Sequence, residues 1–180
     1  MTDPAGGVEG AGEVLHFVPM HRRHLPAVLR IEHRSQPNPW SLGVFNSELA
    51  QGGSRYYAVA RYGTKVVGYG GLMFVADEAH VTNIAIAPAY RRRGFGSALL
   101  SHLAMSASRR GSNAMTLEVR TGNTGAQAMY QRFGFVQEGV RPNYYPETHE
   151  DALVMWLYGL RSPEVQQHLA ELGSLGGGAS

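Results

Sequence analysis

The chain has 180 residues, 43% of them hydrophobic and 17% charged, with 23 Gly, no Cys and a formal net charge of +2. That length suits one domain, no apolar run approaches the roughly 18–20 residues that cross a bilayer, and without Cys there is no disulfide framework, thiolate zinc site or cysteine nucleophile. A charge so near neutrality does not announce a nucleic-acid binder either, although Lys65 is the only Lys and every other basic residue among the 16 is Arg, a side chain that serves as solvated charge or as a bidentate ligand for phosphate and carboxylate.

Met1 to Gly12 is Gly-rich and acidic, without the basic start and apolar stretch of a secretory signal. It is expected to be a flexible extension of a soluble, cytoplasmic protein. Val14 to Val18 then reads as a first strand. His24 to Ser35 carries Leu25, Val28, Leu29 and Ile31 at helical spacing, with Pro26 tolerable in the first turn, and Pro37, Asn38 and Pro39 end it. Ser41 is placed to cap a second helix bearing Leu42, Phe45 and Leu49. Tyr56 to Ala60 and Val66 to Val75 are strands joined by a tight turn at Tyr62-Gly63-Thr64-Lys65, and a third runs from Ala79 to Ala87 and stops at Pro88.

The longest predicted helix spans Gly94 to Arg110, where the closing Arg109-Arg110 complements the helix dipole. A strand at Ala114 to Arg120, a helix at Thr124 to Phe133 ending at Gly134, and strands at Phe135 to Tyr144 and Asp151 to Leu160 follow. The order β-α-α-β-β-β-α-β-α-β-β predicts an α/β fold, a mixed sheet with helices on its faces, over residues 13–161. In the tail, residues 162–180, Ser162 and Pro163 suit the start of a short helix to Leu172 before a Gly-rich, disordered end.

Arg91-Arg92-Arg93-Gly94-Phe95-Gly96 lies between a predicted strand and the longest helix. Backbone N–H groups at a helix start lack intrahelical partners, the dipole adds about half a positive charge there, and glycines let an anion approach closely. The turn is not a Walker A loop, which needs a Lys after its second Gly, nor a Rossmann fingerprint, which needs a third Gly. Taken alone, it is equally readable as a Gly-rich turn with solvated Arg.

A Gln/Arg-x-x-Gly-x-Gly/Ala turn after Asn83-Ile84-Ala85-Ile86-Ala87-Pro88 resembles the acetyl-CoA-binding core of the GNAT N-acetyltransferases. The resemblance covers nearly the whole chain from Val14 to Leu160. Pro39-Trp40-Ser41 with Phe45, Leu117-Glu118-Val119-Arg120, Asn123, Tyr130, Gly134-Phe135 and Asn143-Tyr144-Tyr145-Pro146 make it most similar to the bacterial branch that acetylates the N-terminal alanine of a ribosomal protein. The resemblance implies a mostly antiparallel sheet that splays between Val81–Ile86 and Met115–Val119 into a V-shaped cleft. It implies acetyl-CoA there, its pantetheine on backbone near Ile84, Ala85 and Ile86 and near Asn123, its pyrophosphate on the amides of Arg92 to Ser97 with Arg91, Arg92 and Arg93 close by. It also implies a protein N-terminus as acceptor, held near Trp40, Ser41, Tyr144 and Tyr145.

From pattern alone Glu118 is either a base facing a wet cleft or part of a polar strand face with Thr116 and Arg120. Tyr130 shares helical spacing with Ala126, Met129 and Phe133, which suits core packing as well as a proton donor with a pKa of about 10 in water. The resemblance implies Glu118 as base and Tyr130 as acid beside the thioester sulfur. Trp40 is equally suited to staple its own helix, and Glu147, Glu150 and Asp151 suit either solvation or a cationic peptide. His21 and His24 lack the further ligands of a metal site, so no metal is expected. A GNAT acting on a Lys side chain, a polyamine or an aminoglycoside is the competing enzyme reading, and a non-catalytic acyl-CoA sensor the competing class. A monomer or weak dimer without membrane or nucleic-acid partners is expected.

Overall fold

The computed structural model describes residues 13–175, so the expected N-terminal extension and the end of the tail lie outside the described residues. The elements are β1 (Leu15–Pro19), α1 (Leu25–Ser35), α2 (Leu42–Ala50), β2 (Arg55–Tyr62), β3 (Lys65–Val75), β4 (Glu78–Ile86), α3 (Phe95–Arg109), β5 (Ala114–Arg120), α4 (Thr124–Arg132), β6 (Val136–Tyr145), β7 (Glu150–Tyr158) and α5 (Pro163–Ser174). Through β7 the order is the one read from the sequence, α5 follows after Ser162, and 3-10 turns stand at Arg22–His24, leading into α1, and at Pro88–Tyr90.

Local chemistry accounts for the helix boundaries. Ser41 Oγ accepts from Val44 N–H at 3.3 Å, and the Trp40 ring packs 5.4 Å from Phe45 four positions into α2, a hydrophobic staple. Ser162 Oγ accepts from Val165 N–H at 3.3 Å and starts α5 with Pro163 in its first turn. At the end of α4, Gly134 takes φ +93°, Phe135 N–H donates to Tyr130 C=O and Gly134 N–H to Gln131 C=O, both at 3.0 Å. This is a Schellman stop, and its customary apolar contact is the Tyr130–Phe135 ring pair at 5.7 Å. The motif that terminates α4 therefore also sets the position of Tyr130.

One seven-stranded sheet runs β1-β2-β3-β4-β5-β7-β6. Every neighbouring pair is antiparallel except β4 and β5. Successive residues of β2 fall on opposite faces: Ala60 belongs to the core cluster that holds Leu99, Leu100 and Leu103 of α3 and Leu169 of α5, Val59 to the one that holds Val28 and Ile31 of α1 and Phe45 of α2. Helices thus cover both faces of the central strands. The parallel pair needs its crossover helix, α3, and the two strands it joins do not stay together.

Candidate active site

Strands β4 and β5 are in register only for Glu78, Ala79 and His80 against Ala114, Met115 and Thr116. Beyond them β4 pairs with β3 alone, so the backbone edge of Val81 to Ile86 that faces β5 is left without a strand partner. Two hollows occupy the gap, one of about 900 Å³ and one of about 440 Å³. They meet at Ile84, Asn123, Tyr130, Arg120 and Gln36, which line both.

The larger hollow takes in Ile84, Ala85 and Ile86 on one side and Arg91, Arg92, Gly94, Gly96 and Ser97 on another. Arg92 and Gly94 both have left-handed backbone, φ +62° and +76°, which turns the chain sharply into α3. The first helical bond runs from Ala98 N–H to Gly94 C=O, and no side chain caps the start of the helix. The amides of Phe95, Gly96 and Ser97 are therefore free for an anion at the positive end of a helix of 15 residues. A Cβ at Gly96 would come no nearer than 3.7 Å to Met129 and 3.8 Å to Ile86, so the space over this turn is open. These residues fit a diphosphate.

The three arginines divide their roles. Arg91 Nε donates to Ile86 C=O at 3.1 Å and its terminal nitrogen to Ser35 Oγ at 3.2 Å, which spends the side chain on bracing the turn against α1. Arg93 lies over the Tyr90 ring at 5.2 Å, and Phe95 is buried against Tyr62 and Tyr90; neither lines the hollow. Phe95 has only its amide to offer there. Asn123 caps α4, its Oδ1 accepting from Ala126 N–H at 3.2 Å, and borders both hollows.

The smaller hollow holds Glu118, Trp40, Tyr144, Tyr145 and, unanticipated from the sequence, Glu32 and Asn83. Ser41 is not in its wall and is spent on the α2 cap. Glu118 projects into the hollow and its Oε1 lies 3.2 Å from Arg141 Nε of β6, a pair the sequence spacing did not suggest. Its strand neighbour Thr116 is buried and donates to Met155 C=O at 3.0 Å, so β5 does not present a uniform polar face. Arg120 stacks 3.8 Å from the Tyr145 ring centre, donates to Glu147 Oε1 at 3.0 Å and to Thr148 Oγ1 at 2.6 Å, and so ties β5 to the β6–β7 hairpin.

Tyr130 is 5% exposed, belongs to the main core and also borders both hollows. Burial pushes its hydroxyl well above the usual phenol range, burial also raises that of Tyr144, and Tyr145 is pushed up to about 12, again by burial first. These hydroxyls stay protonated at neutral pH and can donate. Glu32 is 1% exposed, and burial raises its carboxyl above the ordinary carboxylate range. The sequence signal for Glu32 was a charged residue four after Val28, on the apolar stripe of α1.

A family model described as "Acetyltransferase (GNAT) family" matches residues 25–135, more than half of the chain. The chain belongs to the GNAT family. Its GNAT relatives include a protein of Escherichia coli strain K12 named "[Ribosomal protein bS18]-alanine N-acetyltransferase", 41% identical over 74% of this chain and 90% of that one. A Bacillus subtilis protein carrying the same name as putative is 36% identical over 77% and 91%. The solved Escherichia coli ribosomal-protein-S18-alanine N-acetyltransferase superposes with TM-score 0.75 at 37% identity, covering 81% of this chain and 94% of its own. Among the described residues of this GNAT protein no group of three or more His, Asp and Glu is placed to hold a metal, and no helix is long and apolar enough to cross a membrane.

Proposed function

We propose that this GNAT protein acetylates the α-amine of a protein N-terminus with a small first residue such as alanine, the acceptor being of the ribosomal-protein class that its relatives are named for. Acetyl-CoA would supply the acetyl group as an activated thioester. The residues that would hold it are the strand edge at Ile84, Ala85 and Ile86, the free amides at the start of α3, and Asn123. With an acceptor of this kind the protein would work in the cytoplasm.

The observation that carries this reading is the meeting of two unlike hollows at one phenol. The larger has helix-start amides, the smaller a carboxylate and aromatic walls, and Tyr130 stands where they join. Glu118 is placed to take the proton of an incoming ammonium, and an α-ammonium has a pKa of only about 7.7–8.0, so a modest base suffices. Tyr130, kept protonated by burial, is placed to donate to the leaving sulfur. Trp40, Tyr144 and Tyr145 narrow the acceptor side, and each methylene they exclude is worth only about 1–3 kcal/mol, which sets a graded preference for small residues.

The test compares an Ala-starting peptide with the same peptide blocked at its N-terminus but carrying an internal Lys, with acetylation read by mass spectrometry. The free N-terminus is expected to react faster. Faster reaction of the blocked peptide would transfer the assignment to Lys side chains.

A further inference from the structure

On the side of the sheet that carries α1 and α2, the core ends at β4. Among the described residues, the cluster under those helices takes nothing from β5, β6 or β7. Strand register continues a row of side chains across this bare part: His80 of β4 lies opposite Thr116 of β5, Thr116 opposite Trp156 of β7, and Trp156 opposite Val136 of β6. Directly opposed residues share a face, and Met115, next to Thr116, is in the cluster under α3, so the row faces the other way. Glu78, Ala114 and Tyr158 form the next row. Tyr158 is 53% and Val136 48% exposed, and neither these two nor Trp156 and Val154 belong to a core cluster.

This strip is aromatic at its centre and acidic at its borders. The Trp156 and Tyr158 rings are parallel to within 5° at 5.8 Å, and the His80 ring meets Trp156 edge-on at 6.2 Å. Glu78 Oε2 lies 3.5 Å from His80 Nε2. Partial desolvation first, and then the charges of Glu138 and Glu78, raise the Tyr158 phenol above its usual range, so both carboxylates stand near that ring. Among the described residues neither carboxylate has an Arg or Lys as ion-pair partner. Aromatic faces beside carboxylates free of a basic partner fit a cationic side chain better than an apolar one.

The strip also begins beside the candidate base. Glu118 lies on the same face, two residues from Thr116 and opposite Val154, and Trp156 and Tyr158 follow Val154 by two and four positions along β7. At about 3.4 Å per residue they lie roughly 7 and 14 Å beyond the Glu118 level. An extended chain with its α-amine at Glu118 reaches that far with about its third and its fifth residue. We infer that this strip holds the acceptor chain downstream of its reacting end, with a cationic side chain near the fifth residue lying on Trp156 and Tyr158 and with Glu78 and Glu138 as its counter-charges. This rests on the N-terminal reading above. An acceptor of two residues ends short of the strip and gains nothing from it.

Steady-state kinetics with Ala-starting peptides of about eight residues test this, a single Arg being moved along an otherwise uncharged chain. With Arg near the fifth position, peptide KM is expected to fall about fivefold or more below that of the Arg-free peptide, with kcat and KM for acetyl-CoA unchanged. Trp156→Thr and Glu138→Gln are each expected to remove most of this advantage and to leave KM for the Arg-free peptide at the wild-type value. Glu138 is exposed, so Glu138→Gln keeps the fold even where Trp156→Thr does not. An Arg effect below about twofold at every position, or one of equal size in the wild type and both variants, overturns the inference. A wild-type protein that sediments as a dimer and becomes monomeric in Trp156→Thr also overturns it and gives the strip to a second copy. A wild-type protein that leaves free N-termini unacetylated overturns both readings; one that acetylates them without regard to Arg overturns this one alone.

Discussion

Among the described residues Glu118 has one ion-pair partner, Arg141, whose side chain is 56% exposed and 3.2 Å away. An ion pair that open to water is weak and exchangeable, so an incoming ammonium can take the place of the guanidinium without a large penalty. Glu118→Gln keeps the shape and removes the proton acceptor. Turnover is expected to fall roughly 10²–10⁴-fold while acetyl-CoA affinity, measured by calorimetry, stays near wild type. Full activity at neutral pH would move the base to another group. Gly96 supports a second test at this scale. Because a Cβ there touches Met129 and Ile86 only at ordinary contact distance, Gly96→Val is expected to fold and to weaken acetyl-CoA binding at least tenfold, or about 1.4 kcal/mol, by filling space over the free amides. Unchanged affinity in a folded variant would remove the cofactor from this turn.

At the scale of elements, three parts of the site are set by helix ends. Tyr130 is fixed by the stop of α4, Asn123 by its start, and the anion turn by the bare start of α3. Gly134 is the sensitive position, since its φ of +93° is open to Gly and strained for any L side chain. Gly134→Ala is expected to cost about 1–2 kcal/mol, which for a chain of this size lowers Tm by roughly 2–8 °C in a thermal melt. Loss of the stop also frees the Tyr130–Phe135 pair, so kcat should fall by more than KM changes. A variant with wild-type Tm would mean that α4 ends without help from this residue.

For the whole molecule, the sheet binds distant parts of the chain into a structure whose stability responds to acid. His102 of α3 stacks on Phe17 of β1 at 4.7 Å and lies 2.8 Å from the Tyr56 hydroxyl of β2. Burial, aided by Arg109, lowers its pKa from 6.5 to about 4. Above pH 6.5 the folded and unfolded forms both hold it neutral, and it costs nothing. Between pH 6.5 and about 4 the unfolded chain binds a proton that the folded one refuses, so this group's contribution to stability falls as pH falls. Tm is expected to drop across that window, and His102→Gln to flatten the drop. An equally steep profile in the variant would assign the acid sensitivity to other groups.

Much of this protein was legible in the residues themselves. Periodicity, caps and turn residues gave the element order, because each depends on neighbours within about five positions: Ser41 and Val44, Trp40 and Phe45, Gly134 and Gln131 are all local pairs. The Arg91–Gly96 turn was legible for the same reason, as was the family to which it points. Sequence spacing could not say that Arg93 and Phe95 turn away from the hollow or that Arg91 is spent on Ser35 and Ile86, since those outcomes depend on what the turn packs against. Nor could it say that Tyr130 is buried in the core and also borders both hollows. The Glu118–Arg141 pair and the Arg120 tie to the β6–β7 hairpin join residues 23 to 28 positions apart. Only the sheet order and the parting of β4 from β5 bring them to one cleft, because register and splay are settled by the packing of the whole sheet and leave no period in the sequence.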